Sequence, residues 1–528
     1  MAPLLFGHNV AGDRHEFDPE RWITKYSSSQ SGPNGQPGSS RLPERHPETG
    51  IDVLIVGAGM GGLMSALECW RKGHNIVGIL ERQNGPVYSG TRHYCHSTFC
   101  CGGIQTLADL MRDMEEEQIH ASIKYVRHSG EHIYGPTIPN FNEPEYVASR
   151  KGPTVAAAQI RQKFYRMLLR QVAKLGLKVS YGKQVARYFE NNISNKGGVV
   201  LENGDIHVAD MVVAADGLRS RSELLVCGGE VKPPKSSGMS IYRVSFPREM
   251  AMKNDLVRKK WGDSPAMWEY WLGPGMYIGI WVSDEIVGWG FTPRDTVGAP
   301  METWEPDTDA EEVVKTLLRA PGWDPAISAL ICSSPEKGVV HWPLLWRDLR
   351  QEWTSPGGRV VQVGDSAHSF TPTSGNGATQ ALEHAITLAT CLQLGGSSRA
   401  VPMATKIHNL LRYQRVSCAQ KMTFVNSQLK TETDWDAILK DPVKIKTRFP
   451  KWVFNHDPEQ YAYEKYGQAF ANIVAGAPFE NTNFPPGHTF VPWTINEVYK
   501  EMGNGRRVED LLDGDWSWSE AFAIITRY

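Results

Sequence analysis

The sequence predicts an α/β protein in which a parallel-sheet domain is interrupted by an inserted antiparallel sheet and followed by a mainly helical C-terminal stretch. Three observations predict it. The apolar run Ile51 to Val56 is followed at once by glycines and then by Leu63, Ala66, Leu67 and Trp70 at helical spacing. Between Tyr242 and Phe291 the chain changes to short aromatic segments, "SIYRVSF", "MYIGIWV" and "EIVGWGF", separated by Gly, Pro and Asp. After Leu394 the pattern turns helical.

The elements follow in chain order. Residues 27–50 are rich in Ser, Gly and Pro and lack apolar periodicity, so 1–50 is expected to be a flexible leader. Ile51 to Val56 forms the first buried strand, the helix after it stops at Gly73, and "NIVGILE" supplies a second strand, completing a βαβ unit. This domain occupies 51–230, the inserted sheet 231–340, the returning part of the first domain 341–420, and the C-terminal extension 421–528. Tryptophans cluster between Trp261 and Trp353, where they can wall a pocket for a flat ligand or fill a sheet core.

Composition limits the partners. At 528 residues with a net charge of -2, the chain is large enough to bury a cofactor but has no field to gather a phosphate backbone, which argues against nucleic acid. Eight scattered cysteines without framework spacing predict reduced thiols and a cytoplasmic setting. No stretch approaches the apolar length of a membrane span. Nothing in the residues separates a monomer from a homodimer.

"VGAGMGG" places Gly57, Gly59 and Gly62 at GxGxxG spacing, directly between a strand and a helix, with Glu81 at the end of the second strand. Gly57 permits the tight turn, Gly59 lets backbone approach a pyrophosphate, and Gly62 lets helix and strand pack closely. The helix N-terminus offers N–H groups to the phosphates, and Glu81 can accept from both ribose hydroxyls. This is the Rossmann fingerprint. An acidic residue at 81 disfavours a 2′-phosphate, leaving FAD or NAD.

A second stretch, "VGDSAHSFTPTSGNGATQALEHA", discriminates between them. "GRVVQVGD" predicts a strand ending at Asp365, and Ala381, Leu382, Ala385, Leu388 and Leu392 share a helix face, so the intervening loop delivers Gly375 and Gly377 to a helix start. A helix N-terminus there stabilises the negative charge that reduced flavin places at its pyrimidine edge. A hydrolase triad of Asp365, Ser366 and His368 fails, because three residues so close in one loop cannot form a relayed line and no G-x-S-x-G elbow exists.

With these residues the chain resembles the FAD-dependent group A flavoprotein monooxygenases, the p-hydroxybenzoate and salicylate hydroxylase type. Gly364, Asp365, Ala367, His368, Pro372, Gly375, Gly377 and Ala378 match the carboxy-proximal motif. The resemblance implies that Asp365 bonds the ribityl chain, that Pro372 to Ala378 hold the isoalloxazine edge, and that His368 is structural. "AADGLRSRSE" matches the middle motif with Asp216, Gly217 and Ser220, a segment serving the pyrophosphate and reduction by NAD(P)H. "AAQIRQKFYRMLLRQV" resembles the helix whose first arginine, here Arg161, lies over the FAD phosphates, with Phe164 and Leu168 as its buried face.

The sequence departs from the family in three places: Glu223 stands for a terminal arginine, His384 for a common aspartate, and "SGTRHYCHSTFCCGG" for an apolar segment. In that segment His93, Cys95, His96, Cys100 and Cys101 could ligate a metal, but no CxxC pair exists, and partly buried thiols and imidazoles without metal are expected. The Trp-x-Trp of "DGDWSWSEAF" is similar to that of flavin-dependent halogenases but lies outside the flavin domain and lacks the following Ile-Pro.

The resemblance implies reduction of FAD by NAD(P)H, addition of dioxygen as a flavin hydroperoxide, and hydroxylation or epoxidation of a largely apolar aromatic, polyketide or alkaloid in secondary metabolism. Arg243 and Tyr277 look like the positions at which relatives face the flavin, and are the candidates for polarising a substrate oxygen. Trp281 and Tyr242 are further candidates for the cavity wall, although strand alternation puts Tyr242 and Arg243 on opposite faces. The altered segment and Glu223 motivate a second reading, a flavin-binding isomerase, cyclase or binding protein that has lost oxygen insertion.

Overall fold

The computed structural model describes residues 44–86, 94–95, 121–138, 159–229, 231, 233–294, 308–372, 375–446 and 450–516. Five parallel strands form the first sheet, in the spatial order Val360–Gln362, Met211–Ala214, Asp52–Val56, Asn75–Leu80 and Val179–Ser180. The central strands are apolar at nearly every position because both faces are covered. One face packs against the helices Met60–Arg71, Arg161–Lys174 and Asn376–Gly395 through Leu63, Leu67, Phe164, Leu168, Leu382 and Leu388. The other lies under an antiparallel three-stranded meander, Val185–Asn191, Lys196–Leu201 and Ile206–Ala209.

The second sheet has seven strands, ordered Val340–Trp346, Lys235–Pro247, Ile286–Pro293, Met276–Val282, Met267–Gly273, Ser122–Arg127 and His132–Thr137. It draws on more of the chain than 231–340, since two strands come from the segment before Arg161, and Ser122–Arg127 joins Met267–Gly273 in parallel. Helices Asp255–Trp261, Ala310–Leu317 and Pro325–Cys332 cover one face, where Trp261, Trp271 and Trp289 are fully buried. Glu269 is tolerated there because the indole N–H groups of Trp261 and Trp271 donate to its Oε2 at 3.1 and 2.8 Å.

The helix Val401–Thr431 joins the two sheets, touching both Asn376–Gly395 and the strands Met267–Gly273 and Met276–Val282. Helices Pro458–Ala475 and Ile495–Gly503 continue the C-terminal part. Residues 44–50 run in extended form against the first helix, with the His46 N–H donating to Arg71 O at 2.8 Å and that of Thr49 to Gly73 O at 3.0 Å. Among the described residues, no helix is long and apolar enough to cross a membrane. The Cys- and His-bearing segment 93–101 lies outside the described residues apart from the short strand Tyr94–Cys95.

Candidate active site

Two helix N-termini meet at the carboxyl edge of the parallel sheet. The first belongs to Met60–Arg71, entered through Gly59. Gly57 has φ +97°, and a Cβ there would stand 2.3 Å from Ala215 O; a Cβ at Gly62 would stand 1.9 Å from Gly57 O. A Cβ on Gly59 would meet nothing within 4 Å. The three glycines thus separate into two that the turn itself requires and one that leaves the cradle open, the pattern needed where a pyrophosphate meets backbone.

The second N-terminus belongs to Asn376–Gly395, entered through Gly375 in the left-handed region at φ 62°. The two helices lie side by side, so a Cβ on Gly61 would sit 3.5 Å from both Val363 and Ala381. Pro372, Gly377 and Ala378 flank this second start and are half-buried. Gly364 and Asp365 form a short 3-10 turn between the last parallel strand and that loop.

The charged candidates surround these ends. Glu81 accepts the Ala58 N–H at Oε2 (2.8 Å) and the Gln83 N–H at Oε1 (2.9 Å), which orients the carboxylate beside the glycine turn. Asp365 is exposed at the turn, yet the protein packed near it raises its carboxyl above the usual range, and Arg161 opposes the rise. Arg161 opens its helix, while Phe164 and Leu168 are buried in the main core. Asp216 follows the strand Met211–Ala214 and accepts from the Tyr188 hydroxyl at 2.8 Å; burial raises its carboxyl, opposed by bonds from Ser220 and Tyr188. Tyr188 has no motif around it, and only the fold brings it to Asp216.

Ser366 is no nucleophile, because its hydroxyl donates to Ala214 O and Val363 O, tying two strand ends together. His368 is fully buried beside His384, whose ring lies 4.9 Å away, and His384 is followed by His408 at 5.1 Å. Trp353 covers His384 at 4.9 Å. The departure at 384 therefore forms part of a buried aromatic cluster. Its neighbour Glu383 is held in two places by Arg415, at 2.7 and 2.8 Å, and also by Arg412. Glu223 is buried too, and takes Arg347 at 2.6 Å and Arg350 at 2.7 Å, so two arginines from the returning segment stand around the position where the family motif carries one.

The sheet face opposite the helix-covered one carries the remaining candidates. Arg243 pairs across the sheet with Gly290, Gly290 with Gly279, and Gly279 with Tyr270. Tyr277 lies two residues from Gly279, so Arg243 and Tyr277 point to the same side. Trp281 lies flat across the glycines: a Cβ on Gly288 would stand 2.2 Å from its indole nitrogen, and one on Gly290 3.7 Å from its ring and 3.8 Å from Arg243 Cγ. Tyr242 does not share this wall; alternation sends it to the other face, stacked on His341 at 3.9 Å. A small cavity brings this face, at Met239 and Leu344, together with Thr371 of the glycine-bearing loop and Phe424, Ser427 and Gln428 of the long helix. Among the described residues no group of His, Cys, Asp or Glu is arranged to hold a metal.

The geometry fits FAD, with an open cradle at Gly59, a second helix start at Gly375, and the carboxylates of Glu81 and Asp365 beside the two turns. A family profile described as "FAD binding domain" matches residues 50–402. Over 98% of its length the chain is 67% identical to the whole of the FAD-dependent monooxygenase dmxR9 of a Cryptosporiopsis species. The chain belongs to the FAD-dependent monooxygenases. The monooxygenase is also 62% identical to mdpD of Emericella nidulans, over 97% of this chain and 99% of that protein. Crystal structures of FqzB (TM-score 0.72, 24% identity, 84% of this chain and 99% of that one) and of a salicylate hydroxylase substrate complex (0.60, 18%, 79% and 98%) share its fold.

Proposed function

We propose that the monooxygenase oxidises NAD(P)H and uses dioxygen to hydroxylate or epoxidise a small, largely apolar aromatic, polyketide or alkaloid in fungal secondary metabolism. The observation that carries this reading is the aromatic face bearing Arg243, Trp281 and Tyr277, on the side of the sheet where Met239 and Leu344 meet Thr371 of the glycine-bearing loop. Bound FAD would supply the redox chemistry, taking a hydride and delivering one oxygen atom of dioxygen. Gly57, Gly59, Gly62, Glu81, Arg161 and Asp216 would hold its adenine nucleotide half, and Asp365, Pro372, Gly375, Gly377 and Ala378 its flavin half.

The remaining work falls to the chain's own side chains. Trp281 offers a flat apolar surface on which a ring can lie, which positions a carbon and excludes water. Arg243 can stabilise negative charge on a substrate oxygen, and the Tyr277 hydroxyl can donate to or accept from it, making the adjacent ring carbon electron-rich. Arg347 and Arg350, fixed by Glu223, join Arg219 and Arg221 of the middle motif as cations that a dinucleotide phosphate could meet.

Stopped-flow absorbance of the holoenzyme with NADPH, followed by oxygenated buffer, tests the reading against a panel of phenols and indoles. A compound that accelerates flavin reduction and gains one atom of label from ¹⁸O₂ is expected. A protein that retains FAD but is never reduced by NADPH or NADH would overturn it in favour of a non-redox role. Arg243→Met is expected to lower turnover at least tenfold, equivalent to about 1.4 kcal/mol in the barrier, without loss of flavin.

A further inference from the structure

Tyr188 lies in "VARYFEN", a strand of the three-stranded meander with no cofactor signature around it. Its ring is buried with Leu54, Val56, Leu80, Val212 and Ala214, in the layer between the meander and the parallel sheet. A phenylalanine would fill that space equally well. What the tyrosine adds is a hydroxyl, which reaches beyond the strand Met211–Ala214 and donates to Asp216 Oδ2 at 2.8 Å.

Asp216 stands where the chain crosses the fingerprint turn. A Cβ on Gly57 would lie 2.9 Å from Asp216 N, so the two backbone segments are closely apposed, and Gly217 turns the chain at φ +83° immediately afterwards. A carboxylate packed at this edge of the sheet loses hydration, which favours its neutral form. Burial accordingly raises the Asp216 carboxyl, and bonds from Ser220 and Tyr188 oppose the rise. Burial and the Asp216 charge also push the Tyr188 hydroxyl well above its ordinary value, so it remains a donor near neutral pH. Other ionisable groups share this end of the sheet. Glu81 is bonded to Ala58 in the glycine turn, Asp365 follows the neighbouring strand Val360–Gln362, and Arg219 and Arg221 are exposed on the loop of Asp216 itself. Tyr188 comes to Asp216 from a separate element, so substitution separates its contribution from theirs.

We propose that Tyr188 is a positioning residue for the cofactor, its hydroxyl fixing the Asp216 carboxylate beside the glycine turn as an acceptor for a hydroxyl or amino group of the adenine nucleotide half of FAD. This rests on the assignment of Asp216 to FAD made above. Tyr188 acts through Asp216: a donor on Oδ2 favours the charged form and restricts rotation of the carboxylate, and both effects favour a ligand that donates to it. Affinity for FAD is then present above the titration of Asp216 and lost as pH falls through it. Removing the Tyr188 hydroxyl raises that titration and moves the loss to higher pH.

The test titrates apoprotein with FAD between about pH 5.5 and 9, following the quenching of flavin fluorescence. Wild type, Tyr188→Phe, Asp216→Asn and the double variant are compared, with circular dichroism establishing that each apoprotein is folded at every pH used. Asp216→Asn is expected to weaken FAD at least tenfold at the alkaline end and to abolish the acid limb that wild type shows. Tyr188→Phe is expected to move that limb up by about one pH unit, so that FAD binds roughly tenfold more weakly along it. In the Asp216→Asn background, Tyr188→Phe is expected to change nothing further. Weakening by Tyr188→Phe that is uniform in pH, with the limb unmoved, would show a merely structural tyrosine and overturn the proposal. A Tyr188→Phe profile equal to that of wild type or displaced to lower pH would overturn it too, as would a wild type without an acid limb. An Asp216→Asn protein that binds FAD as wild type does, acid limb included, would remove Asp216 from the cofactor and overturn both statements. The titration requires neither NADPH nor dioxygen, so failure of oxygen transfer, read separately from ¹⁸O₂, would count against the monooxygenase reading and not against Tyr188.

Discussion

At the scale of single residues, the three fingerprint glycines give separable outcomes. Gly62→Ala forces a methyl group into the Gly57 carbonyl, 1.9 Å away, so the turn must move; a loss of roughly 3 kcal/mol or more of stability is expected together with loss of FAD. Gly59→Ala meets open space and is expected to leave the apoprotein's melting temperature within about 2 °C of wild type, while abolishing flavin retention by blocking the approach of a phosphate. Thermal melts of both apoproteins, with flavin content after gel filtration, separate the two; a Gly59→Ala protein that stays fully yellow would remove the pyrophosphate from this turn. These glycine roles were legible because spacing alone identifies backbone positions. Tyr188 and the Arg347 and Arg350 pair on Glu223 were not, because each acts across more than a hundred residues of chain or far outside any motif.

At the scale of elements, the junction between helices Asn376–Gly395 and Val401–Thr431 sets an acid limit. Burial, aided by Arg412, lowers His368 and His408 to about 3 and holds His384 well below its ordinary value. Each is neutral when folded and takes a proton near pH 6.5 when unfolded. Between about pH 6.5 and 3 the unfolded state therefore binds more protons, and stability is lost as pH falls, at roughly 1.4 kcal/mol per pH unit for each histidine once fully engaged. Chemical denaturation between pH 7.5 and 5 is expected to show this slope, and His408→Asn to lessen it by about one proton. An unchanged slope in that variant would show that His408 is protonated in the folded state. Glu383 acts in the same direction: burial would raise its carboxyl, but Arg415 and Arg412 hold it far below the usual range, so its contribution is lost only in stronger acid. The sequence suggested a helix starting at Gly375 and a mainly helical C-terminus; it contained no sign that Glu383 and the histidines would be buried together between the two.

Across the whole molecule, the C-terminal part is bound to the flavin-carrying half instead of standing apart. Arg415 donates to the carbonyls of Trp452, Val453 and Asn483 as well as to Glu383, and Asn483 Nδ2 donates back to Leu411 O. Removing the cation would strip the buried Glu383 carboxylate of both Arg415 hydrogen bonds, so Arg415→Met is expected to cost about 3 kcal/mol or more. The cofactor should read out at the same scale. FAD at a hundred to a thousand times its dissociation constant stabilises by roughly 2.7 to 4.1 kcal/mol, and calorimetry is expected to show one transition that moves upward as a unit. Two transitions, of which only the first responds to FAD, would show that the C-terminal helices unfold independently.

The sequence by itself determined the turns that we propose meet the cofactor: Gly57, Gly59 and Gly62 before a helix, Glu81 after the second strand, and the Asp365 to Ala378 loop before another helix. Such sites are local, each built within one turn, and local chemistry is written in consecutive residues. The aromatic insert was also legible, from its period-two segments. What only the tertiary structure decided is the wall that we propose faces the substrate. Which face of that sheet looks inward depends on register, and a shift of one residue would exchange Tyr242 for Arg243. Lys430 reaches that wall from a helix more than 150 residues further along the chain, carried there by packing against both the helix Asn376–Gly395 and the antiparallel sheet, for which a single stretch of sequence has no signature.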